Sequence, residues 1–132
     1  MSEENVAIMR AAFDAFNRGG IEAALEYFAP EVEVIRPEWI EGGLFRGHDG
    51  IRRIASTWTE HFDEFSVPLE SVIDAGGDHV VALFTQRGRI RGTGSWIEQP
   101  IGWDCQVHDS KIVHVHAYLS WEEALKAAAL DE

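Results

Sequence analysis

Long strand-like segments joined by tight turns fill the second half of the sequence, and this feature constrains the fold most. Residues that alternate between apolar and polar predict strands, and short clusters rich in Gly, Asp and Ser predict the turns between them. The predicted strands cover Ser66–Ile73, Val80–Arg91, Ser95–His108 and Lys111–Leu119. Strands that follow one another through short turns pair antiparallel, so the sequence predicts a mainly antiparallel sheet here.

The first half of the sequence is mainly helical. Apolar residues three and four positions apart predict helices, which glycine or proline then ends. The predicted helices cover Glu3–Arg18, Ile21–Phe28 and Gly50–Phe62, with a strand at Glu31–Arg36 and a last short helix from Ser120 to about Leu130. Helices early and strands late predict an α+β domain with its helices on one face of a bent sheet. The length of 132 residues fits one domain over residues 1–132.

Charge and cysteine content narrow the partners and the location. The chain carries 23 acidic and 11 basic residues, for a net charge of −12, which repels a nucleic-acid backbone. No apolar run approaches the ~20 residues of a membrane span, so neither nucleic acid nor membrane is an expected partner. The acidic N-terminus lacks the basic region of a secretory signal, and the single Cys105 cannot form an internal disulfide. These features predict a cytoplasmic protein.

Five short stretches occur in a familiar order along the chain: Ala15–Gly19 (AFNRG), Tyr27–Val32 (YFAPEV), Phe45–Ile51 (FRGHDGI), His108–Val113 (HDSKIV) and Tyr118–Leu125 (YLSWEEAL). In these stretches the sequence resembles the superfamily of nuclear transport factor 2, ketosteroid isomerase and the SnoaL-like polyketide cyclases. The resemblance implies a cone-shaped α+β barrel, in which a curved antiparallel sheet wraps around the N-terminal helices, followed by a short C-terminal helix. It also implies an open apolar cavity and a homodimer formed through the sheet.

The same resemblance implies where catalytic residues would lie, and those positions are unsuited to the familiar reactions. The oxyanion-holding tyrosine of ketosteroid isomerases falls at Ala12, the base at Arg36 and the oxyanion acid near Trp103. A shift of one residue would bring Asp104 to the acid position but would turn Trp103 outward. The aspartate of the SnoaL-like cyclases falls at Ala117. Steroid-isomerase chemistry by the usual route is therefore not expected.

Alternation along the strands indicates which side chains face the cavity. The expected ligand-contacting residues are Tyr27, Trp39, Phe45, Trp58, Phe84, Trp96, Trp103 and Ala117, with Phe84 and Trp96 as alternatives for one part of the wall. For each aromatic residue, plain core packing is the competing interpretation, and for Tyr27 it is the favoured one.

Two polar residues are candidates for chemistry. Arg36 ends a strand whose inner face is otherwise valine, and a guanidinium there favours a carboxylate, enolate or phenolate ligand. His61 follows Trp58 by one turn on the predicted buried stripe, where an imidazole can move protons near neutral pH. The alternatives are an Arg36 paired with acidic residues at the rim and a His61 that only finishes its helix.

The metal and cofactor motifs are weak. His114 and His116 share one strand face, but alternation turns that face outward, so no metal site is expected and no cofactor is implied. The leading hypothesis is a pocket protein that binds or transforms a small, mostly apolar or weakly anionic, oxygenated organic molecule. As an enzyme it would be a cofactor-free isomerase, cyclase or hydrolase. A non-catalytic binding protein and a homodimeric interaction module stay open as alternatives.

Overall fold

A computed structural model describes residues 2–36 and 43–128. The helices are α1 (Ser2–Gly19), α2 (Ile21–Ala24), α3 (Gly47–His61) and α4 (Trp121–Ala127), with a 3-10 turn at Leu25–Tyr27 after α2. The strands are β1 (Phe28–Arg36), β2 (Gly43–Arg46), β3 (Phe62–Ser66), β4 (Leu69–Gly76), β5 (His79–Ile90), β6 (Trp96–His108) and β7 (Lys111–Tyr118).

All seven strands join one sheet in the order β2-β1-β7-β6-β5-β3, and β4 pairs with the first half of β5. The α+β class, the sheet wrapped around the long helices and the short C-terminal helix are confirmed. The sheet is mixed rather than wholly antiparallel, because β1 runs parallel to β7 in the register Val34–Val115 and Ile35–His116. A strand early in the chain thus pairs with the last one, a nonlocal contact that local patterns do not encode.

Helix α1 lies inside the curved sheet and supplies much of the core. Its apolar residues keep the predicted spacing: Met9 and Phe13 are buried, and Val6 and Phe16 are half-buried against the same cluster. The helix ends before Gly20, whose φ of 83° is left-handed and favours glycine. The predicted helix over Glu3–Arg18 therefore agrees with the structure to within one residue at each end.

Several strands depart from the predicted boundaries, and β1 begins at Phe28 rather than at Glu31. Gly43–Arg46 forms β2 and pairs with β1, although no strand is predicted between Arg36 and Gly50. Phe62–Ser66 forms β3, so the strand predicted to start at Ser66 begins earlier and is interrupted at Pro68. Proline lacks the N–H that a strand ladder needs, which is consistent with the break between β3 and β4.

Helix α4 packs on the outer face of the sheet, opposite α1. The Ser120 hydroxyl accepts a hydrogen bond from the Glu123 N–H at 3.1 Å and so caps the N-terminus of the helix. The Trp121 indole N–H donates to the Phe84 carbonyl at 2.9 Å. Gly102 on β6 lies directly beneath Ala124, so the helix and the sheet approach closely where no side chain intervenes.

Candidate ligand cavity

An apolar cavity, here called the inner chamber, lies between α1, α3 and the inner face of the sheet. Its empty space, including the part open to solvent, is about 530 Å³. The described lining is entirely apolar: Ala12, Phe13, Phe16, Ile21, Ala24, Phe28, Val34, Ile51, Ile54, Trp58, Val67, Phe84 and Trp103. A cavity of this kind suits an apolar group and disfavours a charge, because its walls offer no ionic partner.

Aromatic rings that contact one another form much of the chamber wall. Phe13, Phe84 and Trp103 form a triangle with ring centroids 4.8 to 5.4 Å apart. On the other side, Trp58 stacks on Phe65 at 4.7 Å and meets Phe16 edge-on at 5.6 Å. Tilted and edge-on pairs of this kind are favourable beyond their buried area. The wall is therefore held in shape by its own contacts before any ligand arrives.

A second cavity, here called the antechamber, adjoins the inner chamber and has about 330 Å³ of empty space, including the part open to solvent. Four residues line both cavities, and this shared boundary is here called the neck: Val34, Ile54, Trp58 and Trp103. The rest of the antechamber lining is Arg36, Gln86, Ile101, Ala117, Tyr118 and Leu119. The cavity therefore changes from apolar to partly polar across the neck.

The polar side chains of the antechamber come from strand positions that face inward. Arg36 follows Val34 on β1 by two residues, and Gln86 follows Phe84 on β5 by two, so each shares a face with a buried cavity residue. The Arg36 guanidinium lies 5.9 Å from the centre of the Phe45 ring, a cation–π distance that helps to orient it. Ala117 on β7 pairs with Trp103 on β6, and the small alanine side chain leaves room beside the Trp103 ring.

A wider outer basin adjoins the antechamber and has about 840 Å³ of empty space, which includes open solvent. Arg36, Ala117, Tyr118 and Leu119 line both spaces, and Gln99, His116 and Glu123 complete the described part of the basin. Burial raises the pKa of Tyr118, and the nearby Asp104 and Glu123 carboxylates add to the rise. The phenol therefore keeps its proton at neutral pH.

Five of the residues singled out from sequence lie at this cavity. The structure brings together Arg36, Trp58, Phe84, Trp103 and Ala117 along the inner chamber and the antechamber. Of the two alternatives for one wall position, Phe84 lies at the chamber and is completely buried. Trp39 lies outside the described residues.

The expectation that His61 lies on the buried stripe of its helix is wrong. His61 is the last residue of α3, and its side chain is exposed and absent from the described lining of the cavity. The helix gives way to β3 immediately after it, and the His61 carbonyl accepts a hydrogen bond from the Arg91 N–H at 3.0 Å. Trp58, one turn earlier, is the last residue of the helix to reach the cavity.

Three aromatic residues predicted at the cavity lie elsewhere. Trp96 is exposed at the start of β6, where the Arg87 guanidinium lies over its ring at 4.3 Å. Phe45 packs against the core and supports Arg36 rather than lining the described cavity. Tyr27 is half-buried against the core, which is the interpretation that the sequence favoured.

Sequence reasoning missed the glutamines of the cavity mouth. Gln86 lines the antechamber, and Gln99 lines the outer basin, where its amide donates to the Leu119 carbonyl at 3.2 Å. The signal was present in the alternation of β5, since Phe84 and Gln86 share a face.

The outer sheet face carries ion pairs within the chain. Arg87 pairs with Glu98 at 3.1 Å and Arg89 pairs with Glu64 at 3.3 Å, so these arginines have acidic partners in their own chain. The described residues contain no group of three His, Cys, Asp or Glu side chains placed to hold a metal ion. Within the same residues, no helix combines the length and apolar character that crossing a bilayer requires.

Comparison with known families agrees with this architecture. The model of the SnoaL-like domain family matches residues 9–115, which is most of the chain. No curated protein sequence matches the chain significantly.

Solved structures similar to this chain share its fold over nearly the whole length. A nuclear transport factor 2-like protein from Burkholderia xenovorans LB400 is 27% identical, with a TM-score of 0.72 over 97% of this chain and 98% of that one. A putative polyketide cyclase from Xanthomonas campestris pv. campestris is 20% identical, with a TM-score of 0.73 over 96% and 98% of the two chains. TerC, co-crystallised with polyporic acid, is also 20% identical, with a TM-score of 0.78 over 96% and 98%.

Proposed function

The chain belongs to the SnoaL-like domain family, and on this premise we propose that it is a small-molecule-binding protein. Its ligand is an apolar, oxygenated organic molecule held in the inner chamber. The single observation that carries the proposal is the chamber itself, a space walled largely by aromatic rings whose described lining is entirely apolar. Burial of apolar surface there supplies roughly 25 cal/mol per Å².

The similar structures add support of a general kind. One of the similar structures, the protein from Xanthomonas, is named as a putative polyketide cyclase. TerC was crystallised with an organic acid. These relatives favour a small organic ligand for the shared fold, and the ligand of this chain follows from its own lining.

Binding without turnover is favoured over proton-transfer catalysis. Among the described residues that line the inner chamber and the antechamber, the groups that titrate are Arg36 and Tyr118. Arginine stays protonated in proteins, and the raised pKa of Tyr118 keeps the phenol neutral. Neither group exchanges a proton readily near neutral pH, and His61 lies away from the cavity. A general base is therefore not available from these side chains.

A thermal-shift screen with a blocked cavity tests the proposal. The library contains apolar carboxylates, phenols and ketones, and each is measured on wild type, Ile54→Trp and Ile97→Trp. Ile54 lines both cavities, so a tryptophan there fills space where they adjoin. Ile97 is 43% exposed on β6, and the same substitution there leaves the cavity open.

The expected result is a set of compounds that stabilise wild type and Ile97→Trp but not Ile54→Trp. At 100 times its dissociation constant a ligand adds about 2.7 kcal/mol of stability. Circular dichroism checks that both variants are folded. The proposal would be contradicted if the stabilising compounds stabilised all three proteins equally, or if no compound stabilised any of them. Mass spectrometry of the recovered ligand separates binding from catalysis, since a chemically altered compound would revive the enzyme hypothesis.

A further inference from the structure

We infer that the ligand is an amphipathic organic anion that binds end-on through the neck. Its apolar end occupies the inner chamber, and its anionic oxygens stay in the antechamber between Arg36 and Gln86. This inference rests on the proposed function, because it names the chemical class of molecule that the same cavity takes.

The linked cavities determine which way round the molecule lies. The described lining of the inner chamber offers no charge and no polar side chain other than the indole groups of Trp58 and Trp103. A carboxylate inside it would lose its hydration without gaining an ionic partner, which is strongly unfavourable. The neck residues face both spaces, so the antechamber adjoins the inner chamber. A molecule that occupies both cavities therefore leaves its charged end on the antechamber side.

Arg36 sets the sign of that charge. Among the described residues that line the antechamber, it is the one that carries a charge, and its side chain is half-buried. A guanidinium presents a rigid fork of donors that matches the two oxygens of a carboxylate. Glu123 lies on the solvent side, in the outer basin, and is exposed, so water screens its repulsion of an anion.

Gln86 completes the recognition from a second direction. It lies on β5, which β7 and β6 separate from the β1 strand of Arg36, and both side chains line the same space. Its amide N–H groups donate to a carboxylate oxygen but offer no charge. Ala117 lines the same space from β7, and its small side chain leaves room for the anionic oxygens between Arg36 and Gln86. We therefore expect Gln86 to tune affinity and Arg36 to determine charge preference.

A charge-matched series of ligands tests the inference by isothermal titration calorimetry. The probes are phenylbutyrate, its neutral primary amide and the corresponding phenylbutylamine, which share one apolar end and differ in charge. The variants are Arg36→Met and Gln86→Leu. The matched controls are Arg46→Met, at an exposed arginine paired with Glu33, and Gln106→Leu, at an exposed glutamine of β6.

Wild type is expected to bind phenylbutyrate at least about tenfold more tightly than the amide, which corresponds to ~1.4 kcal/mol, and the amine most weakly. Arg36→Met should remove this preference while leaving affinity for the amide within about threefold, and Gln86→Leu should reduce affinity for the carboxylate by about threefold to tenfold. Both controls should match wild type. Arg36→Lys, which keeps the charge without the fork, should show an intermediate preference.

Several results would overturn the inference. Equal binding of carboxylate and amide to wild type, or a carboxylate preference that survives in Arg36→Met, would refute it while leaving the proposed function intact. Effects of equal size in the control variants would also refute it, because they would report net charge rather than the antechamber. If, in addition, no compound of the thermal-shift library stabilises the protein, the proposed function fails together with the inference. Circular dichroism and melting curves of each variant verify folding.

Discussion

Truncation of Phe84 to alanine probes the wall that the whole account depends on. The Phe84 side chain is completely buried, and its ring lies 4.8 Å from that of Phe13 and 5.2 Å from that of Trp103. Phenylalanine-to-alanine changes in cores cost ~3–5 kcal/mol, from lost transfer free energy and the cavity left behind. The ring borders the inner chamber without being exposed to solvent, and we take the lower end of this range. We therefore expect about 3 kcal/mol.

The measurement is urea unfolding followed by circular dichroism, with Trp96→Ala as the matched surface truncation. Trp96 is 44% exposed and keeps mainly its contact with Arg87, so its loss should cost about 1 kcal/mol or less. A typical domain has only ~5–15 kcal/mol of stability, so the two variants should be clearly separable. Equal losses in the two variants, or a loss under about 1 kcal/mol for Phe84→Ala, would refute the assignment of Phe84 to the packed wall.

Three other predictions concern the outer face, the buried thiol and self-association. Gly102→Ala should destabilise the protein by ~1–3 kcal/mol and loosen α4, because the Cβ of the new alanine would collide with the Cβ of Ala124. Urea unfolding and hydrogen exchange at α4 should both report the change, and wild-type values in both measurements would contradict it. Burial raises the pKa of the Cys105 thiol, so above the ordinary thiol pKa the unfolded chain loses this proton while the folded chain keeps it. The free energy of unfolding of wild type should therefore fall relative to that of Cys105→Ala as the pH rises past that value. Equal pH profiles of stability for the two proteins would contradict this. The expected homodimer should appear in light scattering as twice the chain mass of 14.8 kDa, and a strict monomer at high concentration would count against it.

The sequence predicted the elements whose signals are local and repeated. The periodic stripe of α1 and the alternation of β5, β6 and β7 place their buried residues largely as expected, including Met9, Phe13 and Val115. One local exception to alternation occurs in β7, where Val115 and Ala117 are buried: a bulge opposite Gln106 makes Ile112, rather than Val113, the next fully buried residue. A single inserted residue reverses which side chains face inward, and alternation cannot locate such an insertion.

Features that depend on contacts between distant segments were harder to predict. The parallel pairing of β1 with β7 brings Val34 beside Val115 across most of the chain. The exposure of His61 depends on where α3 stops relative to the sheet, which helical spacing alone does not encode. The position of Gln86 beside Arg36 in the antechamber lining follows only from the fold, which brings β1 and β5 to one space. The sequence thus indicated several residues that line the cavity, whereas only the fold shows that they lie around one space.

Isoleucine methyl NMR with a bound ligand tests the central claim most directly, because isoleucines lie both inside and outside the proposed site. Ile51 and Ile54 line the inner chamber, whereas Ile73 packs under α4 and Ile97 is exposed on β6. A stabilising ligand should shift the methyl signals of Ile51 and Ile54 and give nuclear Overhauser contacts to them, while the signals of Ile73 and Ile97 stay unchanged. Contacts to Ile73 or Ile97 without any to the chamber isoleucines would contradict the claim that the chamber is the binding site.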